Sequence, residues 1–507
     1  LKGADSWNKR YAELDGLEID QYPQGARDYP LSDVLHTGAV FLAQVEAAQA
    51  AYCASDNRTW GIRDEHPQAK AHWDLMLMGL NGLRADPLAV AALHRKVEAT
   101  EKELIDIKMA NGFMRGNGTG DKKALERAVE AAYTKMGLPA PLTDSGKGVS
   151  TNRETLSESG DPVLEQIATL TGNSTLAKTF IPALLRATEQ AAHPKWSVLV
   201  ATGRVSVSDP NLNNQPRKGG VRECWIPSPG HYFIAADYAM AELCSLAQVC
   251  IDLFGYSVMG DALNAGQDLH VLLASDVLGL DYDEANTRYI QGDPELSEWR
   301  QVAKAGNFGF PGGASAKTFV KYAKQSYGLR ITQEVADKTR RAWLNRWQEM
   351  NSYFAFISGK GDLFRIEQIR SGRIRGKCYY TSGANTYFQG LTADGAKTAL
   401  SMISDECLTG YSWLHPQNHP VTRGVQAPSP LYGAKPVAFI YDEFLIDAPS
   451  ATVHEATDRL CYLMVQGMGS MTPNVKPRVD PAIMTRWFKG AKSKRGDDGR
   501  YTIYTGK

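Results

Sequence analysis

Two acidic positions far apart in the sequence have the chemistry of a metal site. Asp237 follows a short apolar run, residues 232–236, that is typical of a buried strand, and Asp442 lies between β-like runs at residues 437–440 and 444–446. Hard divalent cations prefer carboxylate oxygens, and a pair of such ions can activate a hydroxyl while stabilising a leaving phosphate. Acidic residues are also common at strand ends and turns, and the pair taken alone favours that ordinary structural role over a metal site.

A helix face carrying two cations and one aromatic ring forms a second candidate site. Asp293 and Pro294 are typical of an N-cap and a first helical position, which predicts that a helix follows. Arg300, Lys304 and Phe308 are then spaced four residues apart and share one face of it. Two cations can hold a triphosphate while the ring stacks on a base or sugar. A basic face with one aromatic residue is also a common solvent-exposed surface.

The composition limits the classes of protein that can present these residues. The chain has 507 residues with 43% hydrophobic and 22% charged, which excludes a disordered or collagen-like protein and predicts several domains. Seven cysteines without a CxxC pair favour a reducing compartment, and no apolar run is long enough to span a bilayer. The start at a residue other than Met indicates a fragment or a processed product.

Charge is unevenly distributed along this neutral chain. Lys+Arg and Asp+Glu both number 56, yet residues 300–380 hold 16 basic and 5 acidic residues, a net charge of +11 that leaves −11 for the remainder. A basic block of this kind is typical of a surface that binds a polyanion, although a solvated helical face would look the same.

The elements around these positions change in type along the chain. Asp86 and Pro87 predict the start of a long helix that ends near residue 111, and a second helix is predicted to end at Gly137. The segment 138–160, rich in Pro, Gly, Ser and Thr, is predicted to be a loop, and short β-like runs begin near Ser197.

The order of five motifs carries a family resemblance. The segments TGRVSVSDPNLNNQPRKGGVREC, DYAMAEL, RQVAKAGNFG, ANTYFQG and IYDEF follow one another as in family A DNA polymerases, and the chain resembles that family from about residue 80 onward. The ending WFKGAKSKRGDDGRY is most similar to phage members. The resemblance implies an α+β, right-hand polymerase fold with an antiparallel palm sheet, a helical thumb and helical fingers.

The resemblance also implies a division into domains. We expect the remnant or end of a 3′→5′ exonuclease-like domain at residues 1–55, the thumb and connecting helices at 56–195, the palm at 196–258 and 378–507, and the fingers at 259–377. Tyr29 and Asp33 are similar to the last exonuclease motif, but a chance match is as good an explanation. Because the partner acidic motif is missing, we expect no proofreading by this chain.

The implied function is template-directed DNA polymerisation, in which deoxynucleotides are added to a primer 3′-hydroxyl by two-metal phosphoryl transfer during phage genome replication. The alternatives are a catalytically silent relative that binds primer-template, and a single-subunit RNA polymerase. The implied partners are a DNA primer-template, deoxynucleoside triphosphates and phage replication proteins, with no membrane. The implied location is the cytoplasm, that of the host if a phage encodes the protein.

The resemblance assigns roles to individual residues. The catalytic residues are Asp237, Asp442, Glu443 and Lys304, and two Mg²⁺ ions, with Mn²⁺ able to substitute, are bound by Asp237, Asp442 and the Tyr238 carbonyl. The nucleotide-binding residues are Arg300, Lys304, Phe308, His270, Glu242 and Tyr238. The DNA-binding residues are Arg204, Asn211, Asn213, Asn385, Gln389 and Gly312. Gly312 replaces a tyrosine that packs at the templating site in the family, so how the template base is positioned is left open.

Overall fold

The computed structural model describes residues 6–53, 65–143, 145–216, 219–411 and 428–506, and the chain divides into two compact units, Leu1–His66 and Pro67–Lys507. The first unit contains short 3₁₀ turns and the long helix α1, Gln24–Cys53. Tyr29 and Asp33 both lie on α1, where the Tyr29 ring meets the edge of Tyr11 at a centroid distance of 6.1 Å.

Helices make up most of the second unit. In chain order they are α2 Glu65–Asn81, α3 Pro87–Ala110, α4 Lys122–Lys135, α5 Arg153–Ser157, α6 Pro162–Thr175, α7 Ile181–Glu189, α8 Ala241–Phe254, α9 Val258–Asn264, α10 Leu269–Leu278, α11 Tyr282–Ile290, α12 Pro294–Gly309, α13 Ala316–Tyr327, α14 Gln333–Arg346, α15 Glu349–Ser358, α16 Tyr380–Thr409 and α17 Val453–Met471. Within the described ranges, none of the helices combines the length and the apolar character needed to cross a membrane.

The predicted helix starts are confirmed by their caps. The Asp86 side chain accepts hydrogen bonds from the backbone N–H groups of Leu88 and Ala89 at the start of α3. Asp293 caps α12 in the same way, and α12 ends at Gly309, just before a 3₁₀ turn. The segment predicted as a loop, 138–160, also contains the short helix α5, because the Asn152 side chain caps it.

The strands are β1 Arg84–Ala85, β2 Lys195–Ser197, β3 Ser206–Ser208, β4 Trp225–Ile226, β5 His231–Ala239, β6 Phe364–Glu367, β7 Ile374–Cys378, β8 Lys435–Ile440, β9 Glu443–Pro449, β10 Arg478–Met484 and β11 Ile503–Tyr504. Five of them form one sheet in the order β11-β10-β5-β9-β8, in which only β10 and β11 run parallel. The apolar residues of β5 are buried on both faces, as expected for the middle strand of a covered sheet.

Two long helices, α16 and α17, cross beneath this sheet at very short range. A Cβ atom added to Gly467 on α17 would lie 2.5 Å from the backbone nitrogen of Ala399 on α16, so only glycine allows the two backbones to approach this closely. The Tyr238 hydroxyl donates a hydrogen bond of 2.7 Å to the Met464 carbonyl, which ties β5 to α17. The helix pair therefore sets the distance between these helices and β5, the strand that carries Asp237.

Candidate active site

A cleft of about 1270 Å³ opens beside the turn that joins β8 to β9. The predicted site residues that line it are Arg204, Asn213, Asp237, Tyr238, Glu242, His270, Arg300, Lys304, Phe308, Gln389, Asp442 and Glu443. Asp237 and Glu443 of this lining come from strands of the sheet, whereas Arg300, Lys304 and Phe308 come from α12. The sequence-predicted residues are thus largely brought together in one place.

Strand register brings the acidic residues together. Asp237 on β5 lies directly opposite Glu443, the first residue of β9, and Asp442 precedes Glu443 in the turn. The strand was expected to end at Asp237, but β5 continues to Ala239 because β10 pairs with it as far as Arg478. We call Asp237, Asp442 and Glu443 the carboxylate cluster.

The turn before β9 is tighter than the sequence predicted. The β-like runs at residues 437–440 and 444–446 leave residues 441–443 for the tip of a hairpin, whereas Glu443 already pairs within the sheet and only Tyr441 and Asp442 lie outside the two strands. Tyr441 adopts a left-handed conformation with φ of 61°, which turns the chain sharply and places Asp442 against β5. The Asp442 carbonyl accepts a hydrogen bond from the Tyr238 N–H at 3.4 Å.

A lysine from the C-terminal segment completes the carboxylate cluster. The Lys489 ammonium donates hydrogen bonds to Asp237 Oδ2 at 2.7 Å and to Glu443 Oε2 at 2.6 Å. Burial, reinforced by the charge of Asp237, raises the pKa of Asp442 to about 7, and Lys489 opposes that rise. Although burial lowers the pKa of Lys489, the carboxylates of Glu443 and Asp237 raise it above its ordinary value overall, so Lys489 stays charged.

The donors predicted for a metal fit a hard divalent cation in type and charge. They are two carboxylates and one main-chain carbonyl, all oxygen ligands, as Mg²⁺ requires. The ammonium between Asp237 and Glu443 shows that the carboxylate cluster accepts a cation at this point. No group of three or more His, Cys, Asp or Glu side chains in the described part of the chain is arranged to hold a metal ion.

The cations of α12 also have an acidic neighbour. Arg300 donates hydrogen bonds to Asp268 Oδ2 through Nε at 3.0 Å and through Nη2 at 2.7 Å, and its guanidinium stacks 4.8 Å from the Tyr289 ring centroid. Asp268 also caps α10, where its Oδ1 accepts from the N–H groups of His270 and Val271. Although burial raises the pKa of Asp268, the Arg300 guanidinium lowers it overall. We call Arg300, Lys304 and Phe308 the cationic face.

His270 is buried beside the cationic face, and a network of four side chains sets its tautomer. Asn307 Oδ1 accepts from the indole nitrogens of Trp343 and Trp347, at 3.0 and 3.3 Å. Its Nδ2 therefore donates to the Leu269 carbonyl and to His270 Nδ1, both at 3.0 Å. With Nδ1 an acceptor, the ring proton lies on Nε2, so the neutral histidine retains one N–H donor.

The same surroundings keep His270 uncharged. Burial lowers the pKa of His270 to about 4, with further lowering by the charges of Arg300 and Lys304, although Asp268 opposes the change. The His270 ring lies 5.7 Å from the Phe308 ring between centroids. His270 can therefore contact an anion as a neutral hydrogen-bond donor near pH 7.

Two residues with separately predicted roles are paired in the structure. Arg204 and Glu242 form an ion pair, and the Arg204 guanidinium lies 5.3 Å from the centroid of the Tyr441 ring. Burial lowers the pKa of Arg204. Any ligand in the cleft that contacts Arg204 must therefore share it with Glu242.

The remaining predicted DNA contacts are divided between the cleft and its surroundings. Asn213 lines the cleft and donates to the Val205 carbonyl, whereas Asn211 lies outside the lining and accepts from the Asn214 N–H in a turn. Gln389 lines the cleft from α16. Asn385, one turn earlier, donates to the Thr381 carbonyl and packs on Gly312.

The Asn385 side chain packs so closely on Gly312 that it disfavours a larger residue at this position. A Cβ atom there would lie 2.8 Å from Asn385 Nδ2, so a larger side chain requires Asn385 to move. Both residues lie outside the cleft lining. Their predicted roles toward the template remain predictions.

Sequence reasoning missed several residues of the cleft. Asp268, Tyr322, Tyr327, Arg478 and Lys489 all line it. Asp268 lies two positions before His270 and carries an N-cap signal that could have been noticed. Lys489 is one lysine in a basic tail, and nothing in its local sequence distinguishes it.

The chain is similar in sequence to known DNA polymerases. The sequence profile of DNA polymerase family A matches residues 123–489. DNA polymerase I of Aquifex aeolicus is 26% identical over 302 residues, which cover 59% of this chain and 46% of that protein. DNA polymerase I of Pseudomonas aeruginosa is 28% identical over 389 residues, 70% of this chain and 37% of that protein. The chain thus spans less than half the length of either relative.

A solved structure shares the fold. The POL domain of Pol1 from M. smegmatis, in complex with a DNA primer-template and dNTP, matches with a TM-score of 0.61 and 21% sequence identity. The match covers 84% of this chain and 70% of that one. The helix-rich α+β fold described above is therefore similar to that of this POL domain.

Proposed function

This chain belongs to DNA polymerase family A, and we propose that it is a template-directed DNA polymerase that extends a primer 3′-hydroxyl with deoxynucleotides. The observation that carries the proposal is the single cleft that holds both the carboxylate cluster and the cationic face. Carboxylates that bind metal and cations that bind a triphosphate are the two requirements of nucleotidyl transfer. The C-terminal resemblance to phage members supports a role in phage genome replication.

We propose a division of the chain into domains around the cleft. The sheet with β5, β8, β9 and β10 serves as the palm, residues 196–258 and 378–507. Helices α10–α15 lie within the fingers, residues 259–377, and α2–α7 within the thumb, residues 56–195. We assign residues 1–55 to the end of an exonuclease-like domain that does not proofread.

The residues act on the reaction as follows. The primer hydroxyl attacks the α-phosphate, and pyrophosphate leaves as the new phosphodiester bond forms. Arg300, Lys304 and the Nε2–H of His270 bind the triphosphate oxygens, and Lys304 offsets the charge that develops on pyrophosphate. Asp237, Asp442 and the Tyr238 carbonyl would hold two Mg²⁺ ions, or Mn²⁺, which would supply activation of the hydroxyl and neutralisation of phosphate charge.

Primer extension with Mg²⁺ tests the proposal. We expect Asp442→Asn to lower kcat by about 10³-fold, because it removes a charged metal ligand. Asp480→Asn is the matched control, since Asp480 lines the same cleft on the neighbouring strand, and we expect less than about a tenfold loss. A wild-type chain that binds primer-template without extending it would instead identify a silent relative.

Sugar selection separates this proposal from an RNA polymerase. Glu242 and Phe308 are proposed to close the pocket beside the sugar 2′ position, and both line the cleft. We expect Glu242→Ala to raise the ratio of ribonucleotide to deoxynucleotide incorporation by about tenfold, because the steric block is removed. Arg204→Met is the control, because it breaks the same ion pair but leaves Glu242 in place. An unchanged ratio in Glu242→Ala would remove this role.

A further inference from the structure

Lys489 places a positive charge inside the carboxylate cluster. Its ammonium is within hydrogen-bond distance of one oxygen of Asp237 and one of Glu443, and its side chain is 25% exposed. Lys489 belongs to the C-terminal segment after β10, more than 40 positions from either partner in sequence. The contact therefore depends on the fold of that segment.

The neighbours of Lys489 hold it at this position. The backbone N–H of the buried Trp487 donates to the Trp225 carbonyl at 3.1 Å, and the Arg222 guanidinium lies 4.5 Å from the Trp487 ring centroid. The Phe488 ring stacks on Tyr504 at 4.8 Å with an interplanar angle of 12°. A lysine that directly follows two such anchored aromatic residues is directed by the fold, unlike a flexible surface lysine.

The position of Lys489 opposes a divalent cation in two ways. Its hydrogen bonds occupy carboxylate oxygens that a metal ion uses as ligands, one of them on the proposed ligand Asp237. Its charge also repels any cation held by the same residues. The lysine in return keeps Asp237 and Glu443 from repelling each other when no metal is bound.

We propose that Lys489 is a built-in counter-cation that competes with divalent metal for the carboxylate cluster and so sets the metal concentration at which the cluster fills. The inference deepens the proposed function and rests on it for the identity of the metal ligands. Lys489 is in this sense a positioning residue, because it acts on the reaction through Asp237 and Glu443. Metal entry then requires the ammonium to swing away from Asp237.

Metal binding without turnover tests this role. The free Mn²⁺ signal in electron paramagnetic resonance, titrated against protein without DNA or nucleotide, gives the Kd directly. We expect Lys489→Met to bind Mn²⁺ about tenfold more tightly, as removal of a unit charge about 5 Å from a divalent ion predicts in a medium close to water. Lys489→Arg keeps the charge and should bind Mn²⁺ like the wild type.

The matched control is Lys492→Met, which removes an exposed lysine three residues away in the same segment. We expect no change in its Mn²⁺ Kd. Equal or weaker Mn²⁺ binding by Lys489→Met would overturn the proposal. Should Lys489→Met fail to fold, as judged by thermal unfolding, Lys489→Gln supplies the same test, and failure of both to fold would show that Lys489 serves the fold alone.

A second measurement keeps this inference separate from the proposed function. The Mg²⁺ concentration for half-maximal primer extension should fall in Lys489→Met, parallel to the Mn²⁺ Kd. A wild-type chain that fails to extend primers would refute the polymerase proposal, even if Lys489→Met binds Mn²⁺ more tightly. Active enzymes with identical Mn²⁺ Kd values would refute only the role of Lys489.

Discussion

The carboxylate cluster is paired with one cation, Lys489, and the cationic face is paired with one anion, Asp268. These two counter-charges are attached to the fold differently. Asp268 caps α10 and binds Arg300, so a helix end and a cation that we propose binds substrate depend on the same side chain. Lys489 binds the carboxylates with a side chain that caps no helix. The cationic face is thus fixed before substrate arrives, whereas the carboxylate cluster can exchange its cation without disturbing an element.

Loss of Lys304 gives the largest effect that we expect at the cationic face. Lys304→Met should lower kcat by about 10²-fold with a smaller rise in KM for the deoxynucleotide, because its charge matters most as pyrophosphate leaves. Steady-state primer extension measures both constants. Lys321→Met, which removes an exposed lysine of α13, is the control. An effect on KM alone would mean that Lys304 only binds the ground state.

The buried neutral state of His270 predicts a pH-dependent stability. Its pKa of about 4 in the folded protein lies below the value near 6.5 of an unfolded chain, so the unfolded state binds the proton first as pH falls. The contribution of neutral His270 to the free energy of unfolding is fully present above pH 6.5 and is lost progressively between pH 6.5 and 4. At pH 5 the loss is about 2 kcal/mol. Asp268, Arg300 and Lys304 face the ring and contribute to this shift.

Urea unfolding of the wild type and His270→Gln at pH 7.5 and pH 5 measures this effect. The variant should lose about 2 kcal/mol less stability than the wild type over that range. Equal losses would show that His270 titrates normally and that the cationic face is less rigid than its hydrogen bonds indicate.

The smallest effect tests whether Asp268 restrains Arg300. Asp268→Asn retains an N-cap side chain but removes the charge, so α10 should persist while the free energy of unfolding falls by about 1 kcal/mol. Because Arg300 is then released to the triphosphate, we expect the KM for the deoxynucleotide to fall about threefold. A higher KM would mean that Asp268 positions Arg300 for substrate. Asp268 would then assist ligand binding, whereas Lys489 is proposed to oppose it.

Local signals in the sequence were sufficient for the elements that carry the site. The cap at Asp293 and the spacing of Arg300, Lys304 and Phe308 depend only on neighbours along one helix, and α12 matches the prediction. Asp237 and Asp442 were found because apolar runs precede them. The structure differs mainly where β10 extends the pairing of β5 beyond Asp237.

The counter-charges could not be predicted, because each depends on contacts between distant segments. Arg300 pairs with Asp268 from α10, and Lys489 reaches β5 only because Trp487 and Phe488 anchor its segment. Contacts between distant segments also change the effective charge of the basic block, residues 300–380, which a count along the sequence does not show. Arg346, Arg370 and Arg373 pair with acidic residues outside residues 300–380, namely Asp276, Asp252 and Asp394, so its +11 charge is partly neutralised within the protein.

The close crossing of α16 and α17 has a consequence for mutational tolerance. Gly467 lies outside the cleft lining, yet a single methyl group there would push against the backbone of α16. That displacement would pass through Met464 and Tyr238 to the strand that bears Asp237. Substitutions of Gly467 are therefore the first to test in a search for temperature-sensitive variants, in which the protein fails only at raised temperature.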